Sequence, residues 1–255
     1  MKNEFEQTQS FWISLDVLAW ERFTEGGTLC KDSLRLLRRP YELLDHVEQK
    51  LTGFPTDLDL VDAVTTLKRA AFHRKDALER LYKLKHLPIS DLPKDPLERL
   101  AFLGILKPIV FRNLVDVRNY VEHQDAKPPG MERGKELAEY VWYFLRSTDP
   151  LVKVITDTYL LEDPESEEPT DYWISIGNGP LKDWTIEFRG WLPSPLLSAS
   201  PKHESCMIKG TFIYAKDNPK PAAKGRAFDD IYVDGKIVGP REAMVGLYRH
   251  YFSES

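Results

Sequence analysis

The chain has 255 residues, of which 42% are hydrophobic and 29% charged, with a formal net charge of −5. This is an ordinary soluble composition, long enough for two domains with sizeable cores. It has no apolar run of 18 residues and no basic stretch leading into a short apolar one, so neither a membrane span nor a secretory signal is expected and the balance points to the cytoplasm.

From Thr8 to about Phe23, the residues Phe11, Trp12, Leu15, Leu18 and Ala19 return at helical spacing before Gly26-Gly27, which predicts a first helix. A second helical pattern runs from Asp32 to Leu51 with Leu43, Leu44 and Val47 on its apolar face, and Pro40 should kink or break it. Asp57 and Asp59 are placed to cap a third helix through Leu84, whose Lys and Arg residues read as a solvated face. Leu87 to Pro93 forms a linker. A long helix follows from about Asp95, kinked at Pro108, with Leu103, Leu106, Val110, Leu114, Val117 and Val121 along one stripe. Asp125, Pro128, Pro129 and Gly130 end it, and a last long helix begins near Met131, with Asp149-Pro150 as an interruption before Leu151 to Leu160. The expected fold is therefore an α-helical up-and-down bundle over residues 1–161, followed by a small α+β domain with an antiparallel sheet.

The composition shifts at residues 162–170, an acidic, proline-flanked stretch that reads as a linker. Over residues 171–255 the period becomes two. Tyr172 to Ile176, Trp184 to Phe188, Met207 to Tyr214 and Ile231 to Val233 read as strands, and Asp234-Gly235 as a hairpin turn into Lys236 to Val238. Trp191 to Pro201 and Asp217 to Arg226 read as loops, and Arg241 to Phe252 as a short terminal helix. Trp173, Trp184 and Trp191 alternate with polar residues, so core packing is expected of them rather than stacking on bases.

The negative charge is unevenly placed. Residues 1–150 hold 23 Lys and Arg against 24 Asp and Glu, whereas in residues 151–171 seven acidic side chains face only Lys153. The helical part is near neutral, which leaves room for a local basic groove at residues such as Arg112 and Arg118. Cys30 and Cys206 are too few for a disulfide framework and read as reduced thiols. There is no H-E-x-x-H, no Cys pair with metal spacing and no G-x-x-x-x-G-K, so no metal and no cofactor are expected.

The most definite chemical proposal lies at the end of the long helix, where Arg118-Asn119-Tyr120-Val121-Glu122-His123 puts a fixed cation, an amide and a titratable imidazole within two helical turns. Arg112, Asp116, Asn119 and His123 recur at spacings of four, three and four, which stacks them on one face; Arg118 and Glu122 form an i, i+4 pair beside it. Arg118 and His123 fall about 140° apart on an ideal helix, so one phosphate can be held by both only if the last turn unwinds or a second copy supplies half of the site. Arg39 with His46 and Arg80 with His86 match the Arg-to-His spacing too, but Pro40 and Leu81 follow those arginines where a polar residue is wanted.

An Arg, a polar residue directly after it and a His a few residues on, near the end of a bundle helix, resembles the signature of the HEPN superfamily, in the R-N-x-x-x-H form seen in many of its toxin and defence nucleases. The resemblance implies metal-independent endoribonuclease activity in a toxin-antitoxin or antiviral setting, at a site built across a homodimer through the motif helix, with a regulatory protein as a possible partner. It gives Arg118, Asn119 and His123 catalytic roles. Tyr120 would stack on a base, Glu122 would hold Arg118 or set the His123 tautomer, and Arg112 would support the site. The competing reading is a non-catalytic binding or assembly module in a larger complex; a third would place a small nucleotide on the C-terminal sheet.

Overall fold

The computed structural model describes residues 10–107, 111–116, 129–165, 172–198, 200, 207–212 and 231–253. The chain divides into two compact units, one of residues Met1–Thr28 with Thr156–Glu254, the other of residues Leu29–Ile155.

The first unit is built on strands β1 (Ser10–Ser14), β2 (Glu21–Leu29), β3 (Val154–Glu162), β4 (Trp173–Gly177), β5 (Glu187–Leu192), β6 (Leu197–Ser198), β7 (Met207–Phe212) and β8 (Ile231–Gly239). They form one sheet in the order β2-β3-β4-β5-β8-β7-β1-β6. This overturns the expected bundle over residues 1–161 with a small sheet domain behind it: the mixed fold has strands in its first 30 residues, and the helical unit is inserted between two neighbouring strands of an eight-stranded sheet. The helix expected from Thr8 to Phe23 is instead β1, a 3-10 turn at Leu15–Ala19 and β2. Phe11 and Ile13 are fully buried and alternate with less buried Trp12 and Ser14, the period of two that a strand requires. A run this short satisfies either period, and pairing of Phe11 with Gly210 and of Trp12 with Ser198 decides it.

A second correction falls at the end of the last bundle helix. The helix stops at Lys153, and Val154, Ile155, Thr156 and Thr158, stiff β-branched residues, open β3 rather than continuing it. The acidic stretch is not a linker between units either, because β3 and β4 are antiparallel partners, with Glu162 opposite Trp173 and the Asp163 amide donating to the Tyr172 carbonyl at 3.2 Å. Residues 166–171 within it lie outside the described set. Nor do Asp234-Gly235 form a turn: they continue β8, opposite Arg189 and Phe188 of β5.

Phe11 of β1 meets Phe188 of β5 edge to face at 5.5 Å although two strands separate them in the sheet order, so the sheet curls over its own core. Helix α5 (Arg241–Ser253) closes that core around Trp184, which is fully buried against the rings of Tyr248 and Tyr251. Tyr251 donates to the Thr156 carbonyl at 2.7 Å, and Arg22 donates to the carbonyls of His250 and Tyr251, satisfying acceptors that the last helical turn leaves open. Trp191 is buried as well, so two of the three tryptophans considered for base stacking are core residues.

The second unit is helical. α1 (Ser33–Lys50) runs unbroken through buried Pro40. α2 (Asp57–Leu81) starts at a reciprocal cap in which the Thr56 hydroxyl accepts from the Asp59 amide and the Asp59 carboxylate accepts from the Thr56 amide. A short α3 (Pro96–Phe102) is capped by Asp95, and α4 spans Met131–Lys153. Their buried faces, Leu43, Leu44 and Val47 on α1, Val64, Leu67 and Leu78 on α2 and Leu137, Val141 and Leu145 on α4, make the core. Arg74 is wholly buried among them; it donates to the Leu145 carbonyl at 2.8 Å, the Thr148 hydroxyl at 2.9 Å and the Asp149 carboxylate at 2.8 Å. Among the described residues no helix is long and apolar enough to cross a membrane.

Candidate functional site

The long helix expected from Asp95 through the motif is interrupted. α3 ends at Phe102, and Gly104 adopts a φ of +79°. The Ile105 amide then donates back to the Leu100 carbonyl at 2.9 Å and the Gly104 amide to the Ala101 carbonyl at 3.0 Å, the paired bonds of a left-handed glycine cap. Helix resumes at residues 111–116, where Phe111 and Leu114 are buried and Phe111 meets Phe144 of α4 edge to face at 4.7 Å. Of the expected apolar stripe, Leu103 and Leu114 are buried and Leu106 is half-buried; Val110, Val117 and Val121 lie outside the described residues.

Arg118, Asn119, Tyr120, Glu122 and His123 also lie outside the described residues. Arg112 is described. It is exposed, and its guanidinium donates to the Glu98 carboxylate of α3, which holds its pKa above the usual arginine range through that hydrogen bond and the adjacent charge. Arg112 is therefore already paired. Asp116, one turn on, is exposed on the same face. Beside this turn, Ile105, Leu106, Phe111, Tyr140, Tyr143 and Phe144 line an apolar pocket of about 360 Å³.

A larger concavity of the helical unit lies elsewhere. A groove of about 1120 Å³ runs between α1 and α2, with Arg35, Arg38 and Arg39 on one wall and His73, Asp76, Glu79 and Arg80 on the other. Helical geometry makes the walls: residues 35, 38 and 39 share one face of α1, and residues 73, 76 and 80 one face of α2. The carboxylates here are engaged. Glu79 accepts two hydrogen bonds from Arg99, at 2.9 and 3.0 Å, Asp76 pairs with Lys75 at 2.9 Å, and Glu42 pairs with Arg39 at 3.1 Å. Arg80 donates only to the backbone carbonyl of Asp76, and Arg35 and Arg38 have no ion-pair partner among the described residues.

None of these groove residues was singled out as functional from sequence; Arg39 and Arg80 stood there only as counter-examples to the motif. The readable signal was the i, i+3, i+4 repeat of Arg35, Arg38 and Arg39, but which other helix faces it is a matter of tertiary packing. No family model, no curated protein and no solved structure matches this chain.

Proposed function

We propose that the chain is a metal-independent endoribonuclease in which Arg118, Asn119 and His123 act on the RNA backbone. The 2′-hydroxyl attacks the adjacent phosphorus, the P–O5′ bond breaks, and the products carry a 2′,3′-cyclic phosphate and a 5′-hydroxyl. An imidazole can both accept and supply a proton, and His123 moves the protons, taking one from the 2′-hydroxyl or giving one to the leaving oxygen. Arg118 stays charged and holds the non-bridging oxygens with its planar fork as charge grows on them. Asn119 positions the phosphate or the imidazole, Tyr120 offers a ring to a base, and Glu122 orients Arg118 or His123. Because Arg118 and His123 fall on different faces of an ideal helix, the site takes one of them from each of two copies.

The observation that carries the reading is the R-N-x-x-x-H motif itself, which begins two residues after helical residues 111–116; of the polar stripe expected from the sequence, the described members Arg112 and Asp116 are exposed. A second reading, a non-catalytic assembly module, draws on Tyr140, Trp142 and Tyr143, which α4 leaves exposed. Digestion of a labelled single-stranded RNA in EDTA, with mass analysis of the product ends, separates the two. Cyclic-phosphate ends that disappear in His123→Ala support the nuclease; activity that EDTA abolishes, or that persists in His123→Ala, overturns it.

A further inference from the structure

We propose that the groove between α1 and α2 binds the phosphodiester backbone of a single-stranded nucleic acid; that the polymer is RNA in the working protein rests on the nuclease reading above. The groove is lined by arginine rather than lysine. Guanidinium groups hold phosphate oxygens in pairs and lie flat against bases, whereas an ammonium is a point charge. Among the described residues, Arg35 and Arg38 on one wall and Arg80 on the other have no carboxylate partner, while Glu42, Asp76 and Glu79 are each spoken for by a neighbouring cation. The wall is thus locally positive although the chain carries −5.

The shape suits a chain more than a small anion. Beside the groove of about 1120 Å³ lies a smaller hollow of about 290 Å³ that shares Arg35, Leu36 and Arg80 with it and reaches Lys31 and Asp32. Leu34 is 69% exposed at its side and supplies apolar surface on which a base face can rest. Contacts to phosphate alone do not distinguish ribose from deoxyribose, so single-stranded DNA should occupy the groove without being cleaved. The role is one of holding the polymer, outside the reacting atoms.

The test uses the full chain and fluorescein-labelled 20-nucleotide oligodeoxythymidylate, which binds without being cut. Anisotropy titrations are made between 50 and 200 mM salt. All three arginines are exposed, so Arg35→Gln, Arg38→Gln and Arg80→Gln combined leave the core untouched. This variant should bind at least tenfold more weakly, with the slope of log affinity against log salt shallower by about 2, since each phosphate neutralised on a single strand contributes roughly 0.7. A charge-matched variant on other exposed surface, Arg69→Gln, Arg133→Gln and Lys135→Gln, should bind like wild type. Equal loss in both variants, or no binding by wild type at 50 mM salt, overturns the proposal. So does competition by polyglutamate as strong as by unlabelled oligonucleotide of equal charge, which would make the groove a seat for an acidic polypeptide. Cleavage of an RNA 20-mer is scored separately: cleavage without groove-dependent binding defeats only the groove, and groove-dependent binding without cleavage defeats only the nuclease.

Discussion

The backbone amide of Cys30 donates to the carbonyl of Lys153 at 3.1 Å, so the helical unit is closed where the chain enters it and leaves it. The chain leaves the sheet unit after Thr28 and re-enters it at Thr156, on strands that are neighbours in the sheet. An insertion whose two ends lie side by side makes little demand on the host fold, because the host needs only to bridge a short gap.

Cutting the acidic stretch should therefore nick the protein without dividing it. A protease that cleaves between Asp163 and Tyr172 severs the connection between β3 and β4, which remain hydrogen-bonded along five residue pairs from Thr158–Gly177 to Glu162–Trp173. The two fragments are expected to co-elute in gel filtration and separate only in denaturant. Spontaneous separation under native conditions would contradict the sheet order.

The Arg74–Asp149 pair ties α2 to α4 inside the helical core. Removing one partner leaves the other charge buried and uncompensated, so Asp149→Ala should cost about 3 to 5 kcal/mol in urea unfolding. Arg74→Met combined with Asp149→Leu should recover most of that loss, since no buried charge is then stranded. A double-mutant cycle measures the coupling.

Tyr41 extends this network by donating to the second oxygen of Asp149 at 2.9 Å. Burial first, and then the Asp149 carboxylate, push its pKa up to about 12. The protonated phenol is the form the fold favours, and an unfolded tyrosine ionises near 10. The stabilisation it gives is thus complete below pH 10 and lost as pH rises from 10 towards 12. Unfolding midpoints taken between pH 9 and 12 should fall more steeply for wild type than for Tyr41→Phe; parallel curves would contradict the assignment.

Gly190 of β5 sits opposite Ile174 of β4 at a φ of +159°. A Cβ there would stand 2.0 Å from the Trp173 carbonyl oxygen and 2.7 Å from the Ile174 Cα, both backbone atoms that cannot swing aside. Gly190→Ala should destabilise the sheet unit by about 3 kcal/mol or more through overpacking and backbone strain. Tryptophan fluorescence follows the loss, since Trp173, Trp184 and Trp191 all lie in this unit.

Arg118→Lys should abolish RNA cleavage nearly as completely as Arg118→Ala, because the ammonium keeps the charge but not the paired donors. His123→Ala should lose on the order of 10² to 10⁴ in rate. Activity that returns when Arg118→Ala and His123→Ala proteins are mixed supports a site shared between copies; full activity of a monomer at micromolar concentration contradicts it.

The sequence alone determined the helices whose signals are local. α1 and α2 begin within a residue of the positions expected from Asp32 and Asp57, and α4 begins at Met131, because a 3.6-residue apolar stripe is a local signal; of the three starts only that of α2 carries a side-chain cap, made by Thr56 with Asp59. It also determined that a period-two region follows residue 171, as β4, β5, β7 and β8 show. Tertiary structure decided what the local signals left open. Residues 10–14 fit a helix or a strand about equally well, and pairing with β7 and β6 more than 180 residues away settled it. Asp234-Gly235 carries the chemistry of a turn, yet β5 offered it partners on which to stay extended. The arginine groove is of the same kind: each wall is written in one helix, but only the packing of α1 against α2 sets the two walls face to face. The Arg118 to His123 motif is legible only as sequence, since its residues lie outside those described. Helical caps are local and cheap to read, whereas strand pairing and groove formation depend on which distant segment is present to bury the same apolar surface.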